Sequence, residues 1–397
     1  MQQAPMRAAG RRTVLSLLAA SAFCLAFGPG AARASEAPRL SGPFTHENLT
    51  IWLVRGESAP GPVPLTLPEA IEKGVVEVKE TGSVNQLTVE NRGSEEVFIQ
   101  AGDIVKGGRQ DRVLSVSLTL PPRSGVLPIA AYCVEQGRWS ARTGEDVHRF
   151  ASAKEMLPSR EAKIALRAVK SPPAATVEAG RNVEAGHGVE GLDMRANRIG
   201  GPIRQQQTAG LPAGRQTAQI PGAQTPSAQG EVWAKVGEIQ AGLSSNLKAN
   251  VKSARSASSL QLALENDKLA EAQRRFVEAL QPVAEKDGDV MGFVFAVNGK
   301  LNSADIYASN GLFRKLWPRL LKASATEAIS AQGGERQSDA DLAKVAEFLA
   351  NPPADAKAEE RAPIPGMQLE LRATAKSLDS RTKATGGTVV HRNVLSY

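Results

Sequence analysis

Between Ala168 and Gly230 the sequence contains no Phe, Trp or Tyr, and the run "GGPIRQQQTAGLPAGRQTAQIPGAQTPSAQG" is built mainly from Gly, Pro, Gln and Ala. A stretch of this kind buries too little apolar surface to offset the entropy of ordering it, so residues 168–230 are expected to be a disordered low-complexity insert. Any packed core must therefore be drawn from the residues on either side. The two sides carry different periods.

Before the insert, residues 40–167 read as strand. "LTIWLVRG", "GVVEVKE", "NQLTVENRG" and "EEVFIQAG" are short β-branched runs bounded by turn residues. "VLSVSLTLPP" alternates, with Leu114, Val116, Leu118 and Leu120 on one face and Ser115, Ser117 and Thr119 on the other, which predicts a half-buried antiparallel strand ended by the proline pair. "SGVLPIAAYCVEQGRW" predicts another strand. "LPEAIEKG" predicts one short helix, with Pro68 in its first turn and Gly74 at its stop.

After the insert, residues 231–350 read as helices and a hairpin. Trp233, Val236, Ile239 and Leu243 share a helical stripe, as do Leu262, Leu269, Phe276 and Leu280. "VMGFVFAVNGKLNSADIY" predicts a hairpin turning at Asn298-Gly299. "GLFRKLWPRLLKASATEAIS" predicts a helix with Leu312, Leu316, Trp317 and Leu320 inward and a kink or break at Pro318. Residues 351–365 read as a polar linker, and 366–397 as closing strands. Grouped strands followed by grouped helices give an α+β class, with a sandwich-like antiparallel β-rich portion packed against the later helices and hairpin. One continuous unit, with the insert looped out, is expected.

The first 34 residues read as a signal peptide. A basic start precedes an apolar run from Thr13 to Phe27, a Gly-Pro-Gly break and "ARA", with cleavage expected before Ser35. The run is too short to span a bilayer, which takes about 20 residues. Arg11-Arg12 leaves twin-arginine and general export both open. Phe23 before Cys24 argues against lipid attachment. The expected destination is periplasmic or extracellular, with no membrane span in the exported protein.

Loss of Arg7, Arg11, Arg12 and Arg33, with no acid beside them, lowers the formal charge by four, from +7 to +3. No basic stripe with interleaved aromatics remains, so nucleic acid is not an expected partner. Cys133 is then alone, unable to form an intrachain disulfide, and a buried, inert thiol is expected. His46, His148, His187 and His391 are scattered without metal-ligand spacing, so neither a metal site nor a cofactor is expected. Asp305 and Ser303 share one face of the return strand, as hairpin-edge residues or as supporting groups for a site elsewhere.

Two blocks concentrate polar chemistry. In "AGDIVKGGRQDR", Gly107 and Gly108 can adopt conformations closed to other residues. Their N–H groups could form an anion-binding concavity, with Lys106, Arg109, Gln110 and Arg112 around it. The structural alternative is a hairpin corner in which Asp111 pairs with Arg109 or Arg112. In "CVEQGRW", Glu135 could orient those arginines or act as a base, Arg138 could join a positive rim, and Trp139 could stack on a ligand. Alternatively Glu135 and Arg138 form a surface pair and Trp139 plugs the sheet. The two blocks are expected to meet at one end of the β-rich portion. The Gly spacing is not that of a nucleotide-hydrolase phosphate loop, and no nucleophile elbow or Cys-His spacing stands out.

The series "VFIQAGDIVKGGRQDR", "LPIAAYCVEQGRW", "QGEVWAKV" and "FVFAVNGKLNSADIY…LFRKLWPRLL" resembles the ARPP family, the domain associated with ADP-ribosylglycohydrolases and rhodanese-phosphatase proteins. The resemblance runs from about Asn48 to Ile329, interrupted by the insert. It implies, by association only, chemistry on phosphate or ADP-ribosyl compounds. Two functions follow as expectations. The first is an exported binding or scaffolding module whose Gly-Gly-Arg corner holds an anionic small molecule or a protein carboxylate. The second is a hydrolase or transferase acting on a phosphorylated or ADP-ribosyl compound, with Asp111 or Glu135 as acid–base group and Arg109 and Arg112 stabilising charge.

Overall fold

The hairpin after the insert forms where its local signals put it. Asn298 (φ 53°) and Gly299 (φ 79°) both occupy the left-handed region, the requirement of a two-residue primed turn. All eight residues of "VMGFVFAV" are buried, so this strand has no solvent face.

The computed structural model describes residues 39–168, 228–353 and 355–397. The expected leader, and the low-complexity stretch apart from its two ends, lie outside the described residues. In chain order the first elements are β1 (Arg39–His46), β2 (Leu49–Arg55), β3 (Leu65–Thr66), α1 (Leu67–Glu72), β4 (Val76–Glu80) and β5 (Gln86–Asn91). There follow β6 (Val97–Ile99), β7 (Asp103–Gly107), β8 (Arg112–Leu114), β9 (Leu118–Leu120), β10 (Gly125–Cys133), β11 (Arg149–Met156) and α2 (Arg160–Ala168). After residue 227 come α3 (Ala228–Asn246), α4 (Leu260–Leu264), α5 (Asp267–Glu285), β12 (Val290–Val297), β13 (Lys300–Tyr307) and α6 (Asn310–Ser330). The last elements are α7 (Leu342–Ala350), β14 (Ala358–Arg361), β15 (Met367–Ala373), β16 (Ser377–Ala384) and β17 (Val389–Ser396).

An eight-stranded sheet has the order β1-β2-β12-β13-β17-β16-β15-β14, with every pairing antiparallel. Strands from before the insert thus hydrogen-bond directly to the later hairpin, Ile51 opposite Phe295 and Leu53 opposite Phe293. Strand alternation divides the burial. Ile51, Leu53, Phe293 and Phe295 join a core with the inward faces of α3, α5 and α6. Trp52, Val54, Val294 and Ala296 face the other way, onto Val345, Phe348 and Leu349 of α7.

The class is α+β, and its β-rich half takes a specific form. Strands β10-β5-β4-β11-β7-β8 close into a barrel, filled by Val78, Leu87, Val89, Val105, Leu114 and Ile129. Closure removes sheet edges that a sandwich would leave. Beside it, β3, β6 and β9 form a small third sheet.

Several local expectations are corrected. "VLSVSLTL" is not one half-buried strand: β8 belongs to the barrel and β9 to the three-stranded sheet. Its serines face the interior, where Ser117 Oγ accepts the Ala101 N–H at 2.9 Å and Ser115 Oγ donates to the Ala130 carbonyl at 3.3 Å. In α3, Val232 rather than Trp233 completes the buried stripe. The stretch around Leu262 and Leu269 is two helices, divided at Asn266, whose side chain caps α5 by accepting from Lys268 and Leu269 N–H groups. α6 continues through Pro318 as a single helix. Residues 351–365 include strand β14, paired with β15. α1 is as read, with a reciprocal capping box between Thr66 and Glu69.

Candidate functional site

The glycine corner joins β7 to β8. Gly107 (φ 114°) and Gly108 (φ 54°) both lie in the left-handed region, and a Cβ on Gly108 would sit 2.3 Å from Phe150 Cζ. The N–H groups of three successive residues there each have an acceptor from the chain. Gly107 N–H donates to Asp111 Oδ1 at 3.1 Å, Gly108 N–H to the Asp146 carbonyl at 3.0 Å, and Arg109 N–H to Glu80 Oε2 at 3.2 Å. The three N–H groups are taken up by three different residues of the chain.

The two sequence blocks do meet, and they meet around a residue that sequence reasoning passed over. Arg142 forks onto Asp111, with Nη2 2.6 Å from Oδ1 and Nη1 2.8 Å from Oδ2, and Nη1 also reaches Glu135 Oε1 at 3.1 Å. Arg138 Nε donates to Glu135 Oε2 at 2.6 Å, and Glu135 Oε2 also accepts the Asp111 N–H at 3.1 Å. Ser259, the cap of α4, donates to Asp111 Oδ2 at 2.8 Å. Burial works against the charge on Arg142, yet Asp111, Glu135 and Glu145 outweigh it and raise its pKa.

Asp111 and Glu135 are both 0% exposed, and each of their four carboxylate oxygens accepts at least one hydrogen bond. Both carboxylates are enclosed by the chain's own donors. The pairing is also not the one expected: Asp111 binds Arg142 and Arg138, and Glu135–Arg138 is buried at its acidic end rather than a surface pair. Gln110 is buried and donates to the Glu135 carbonyl at 3.0 Å. Arg112 is wholly enclosed, with Nη2 3.6 Å from Glu80; its Nε and Nη2 have no hydrogen-bond partner among the described residues. Lys106 pairs outward with Glu265, and Trp139, 49% exposed, neither plugs the sheet nor joins the cluster.

A second locus borders an opening. A pocket of about 630 Å³ lies among the start of α2, α3, the end of α6 and the β12–β13 turn. Asn302 and Glu327 are the groups in its lining that matter most. Glu327 Oε1 accepts from Asn302 Nδ2 at 2.7 Å and from the Arg160 N–H at 3.3 Å. Asn302 Oδ1 is buried without a hydrogen-bond partner. Burial raises the Glu327 pKa to about 7, and the nearby Glu161 charge adds to the rise; Asn302, Lys163 and the Arg160 N–H oppose it without cancelling it. The basic groups around the pocket are engaged elsewhere, Lys235 with Glu238 and Arg160 with Glu161, while Lys300 stands exposed without an ion pair among the described residues.

A third polar cluster is fully interior. His391 Nε2 and Asp305 Oδ1 are 2.8 Å apart; Asn393 and Gln100 also donate to Asp305 Oδ1, and Tyr307 donates to Gln100. Asp305 is thus neither at the hairpin's edge nor in a cleft. Burial pushes its pKa up, but His391, Lys163 and Arg167 bring it below the usual carboxylate value, while burial lowers that of His391. Among the described residues no group of three His, Cys, Asp or Glu side chains is placed to hold a metal ion. No described helix is long and apolar enough to cross a membrane.

An α+β unit in which a closed barrel and a mixed-order antiparallel sheet share helices is the frame for these sites. The chain belongs to the ARPP-1 family, the ARG and Rhodanese-Phosphatase-superfamily-associated Protein domain, whose family model matches residues 38–395. No curated protein and no solved structure matches the chain.

Proposed function

We propose that this ARPP-family chain is an exported binding module and that its ligand site is the pocket at Glu327 and Asn302. The observation that supports the reading is the contrast between two loci. At the glycine corner, the N–H groups and both carboxylates are engaged by the chain's own groups, and Arg112, whose Nε and Nη2 lack hydrogen-bond partners among the described residues, is wholly enclosed, which suits a structural joint. At the pocket, Glu327 and Asn302, the latter with a buried amide oxygen that has no partner among the described residues, line an opening of ligand size. A hydrolase using Asp111 or Glu135 would need one of them to reach a substrate, and both are enclosed. The export reading rests on the leader-like residues 1–34.

The test is a thermal-shift screen against phosphate, nucleotides, ADP-ribose, sugar acids and amino compounds, with Asn302→Ala and Arg109→Ala alongside. A ligand that binds the folded state raises the melting temperature as its excess over Kd grows. The expected result is a shift lost in Asn302→Ala and kept in Arg109→Ala. A shift lost only in a folded Arg109→Ala returns the site to the corner, and turnover of an ADP-ribosyl compound makes the protein an enzyme. For export, the mass of the periplasmic protein should place its first residue at Ser35; a retained leader in the cytoplasm overturns that part.

A further inference from the structure

The pocket is unbalanced in a definite sense. It holds a buried acceptor, Asn302 Oδ1, that lacks a donor among the described residues. Asn302 is held with its Nδ2 on Glu327, which leaves its Oδ1 turned to no partner although the residue is buried. A buried acceptor without a donor carries its desolvation cost unrepaid, so a group that meets it is favoured from the start. Glu327 has no cationic side chain within ion-pair distance among the described residues, since every salt bridge near the pocket joins other groups.

The charged groups facing Glu327 explain why. From α2, Arg160 is turned to Glu161 and to Ser396 Oγ, and Lys163 acts only at longer range. From α3, Lys235 is held by Glu238. From β13, Lys300 is exposed at the mouth. None supplies a hydrogen-bonded positive charge at the carboxylate.

We propose, on the reading that this pocket is the ligand site, that it takes a small primary amine, whose ammonium group donates to the Glu327 carboxylate and to Asn302 Oδ1. An ammonium group has three donors and no acceptor, so it suits a floor of acceptors. A carboxylate or phosphate would face Glu327 with like charge and would leave Asn302 Oδ1 without a donor. Of the other acids in the lining, Glu161 and Glu238 are held in ion pairs and Glu335 is exposed, so Glu327 is left as one part-buried carboxylate, which fits a monovalent cation better than a divalent metal ion that takes more oxygen ligands. Burial raises the Glu327 pKa, and no ion-paired cation among the described residues brings it back down.

The experiment titrates the full chain with ethanolamine, ethylene glycol and glycolate, three probes of similar size, and follows backbone amide shifts near Glu327 and Asn302 by NMR. Ethanolamine is expected to move those resonances, about tenfold more tightly at pH 8 than at pH 6 because Glu327 ionises between them. Glu327→Gln should abolish the pH dependence and most of the binding while keeping the fold, and Asn302→Ala should weaken it. Glycolate binding at these residues, or ethanolamine binding indifferent to Glu327→Gln, overturns the amine assignment and leaves the pocket reading standing. If none of these probes, and none of phosphate, nucleotide or ADP-ribose, perturbs the pocket residues, both the assignment and the pocket reading fall.

Discussion

Arg142 grips both oxygens of Asp111, at 2.6 and 2.8 Å, across a separation of 31 residues in sequence. The fork ties the loop after β10 to the corner between β7 and β8, and Ser259 extends the tie to α4. Removing one member of such a group leaves the others charged and buried. Arg142→Ala should therefore destabilise the fold by about 3–5 kcal/mol, read as a lower urea midpoint, because Asp111 and Glu135 would then face each other with less compensation. Adding Asp111→Leu to Arg142→Ala should recover part of the loss, which a double-mutant cycle would register as coupling. Additive effects would show that the fork is not holding the joint.

Gly108 gives a test of the same corner through sterics. Alanine there must accept φ 54° and place its Cβ 2.3 Å from the Phe150 ring, which itself fills the barrel. Gly108→Ala should cost roughly 2–4 kcal/mol from strain and overpacking together. Phe150→Leu in the same chain should reduce that increment by making room. An unchanged melting temperature in Gly108→Ala would mean that the corner yields and is not a rigid support.

Legibility of the sequence followed the range of each signal. The hairpin at Val290–Tyr307 and the capped helix α1 rest on neighbouring residues, and both form as read. Barrel closure does not. The serines at 115 and 117 look like a solvent face only if nothing covers them, and here the Ala101 and Ala130 backbones do. The meeting of "KGGRQDR" with "CVEQGRW" was legible; its organiser was not, because Arg142 lies in a loop with no period and the carboxylate it forks onto, Asp111, is 31 residues away. Glu327 did leave a trace. It is the one acid in "ASATEAIS", a stretch in which Ala325, Thr326, Ala328 and Ile329 are all buried, and a lone charge among such residues signals an environment worth inspecting.

Cys133 should be chemically silent in the native protein. It is fully buried, burial raises its pKa, and its Sγ lies 2.9 Å from the Glu135 carbonyl. A thiol held in its neutral form is a poor nucleophile. Ellman's reagent should label the native chain at less than about a hundredth of the rate seen in denaturant, an order-of-magnitude figure set by the need for local opening. Fast labelling under native conditions would reveal an opening of β10 at its end and would reopen a reactive role for this residue.

Stability should carry the mark of Glu327 in its dependence on pH. In the folded protein this carboxyl keeps its proton up to about 7, whereas unfolding returns it to the ordinary value of 4.5. Between those limits the folded state binds more protons, so this group's contribution is fully present below pH 4.5, falls as pH rises through the window, and is gone above about 7. His391 acts in the opposite direction: its folded pKa lies below 6.5, so acid favours the unfolded state, which takes up the proton first. Comparing the protein with Glu327→Gln cancels the histidine and isolates the carboxyl. The variant should be about 1–3 kcal/mol the more stable at pH 8, with the difference shrinking toward zero near pH 4.5, as measured by urea denaturation at each pH. Parallel stability curves for the two proteins would mean that Glu327 ionises in the folded state as it does in water, and the pocket would then lack the uncompensated acceptor on which its amine chemistry depends.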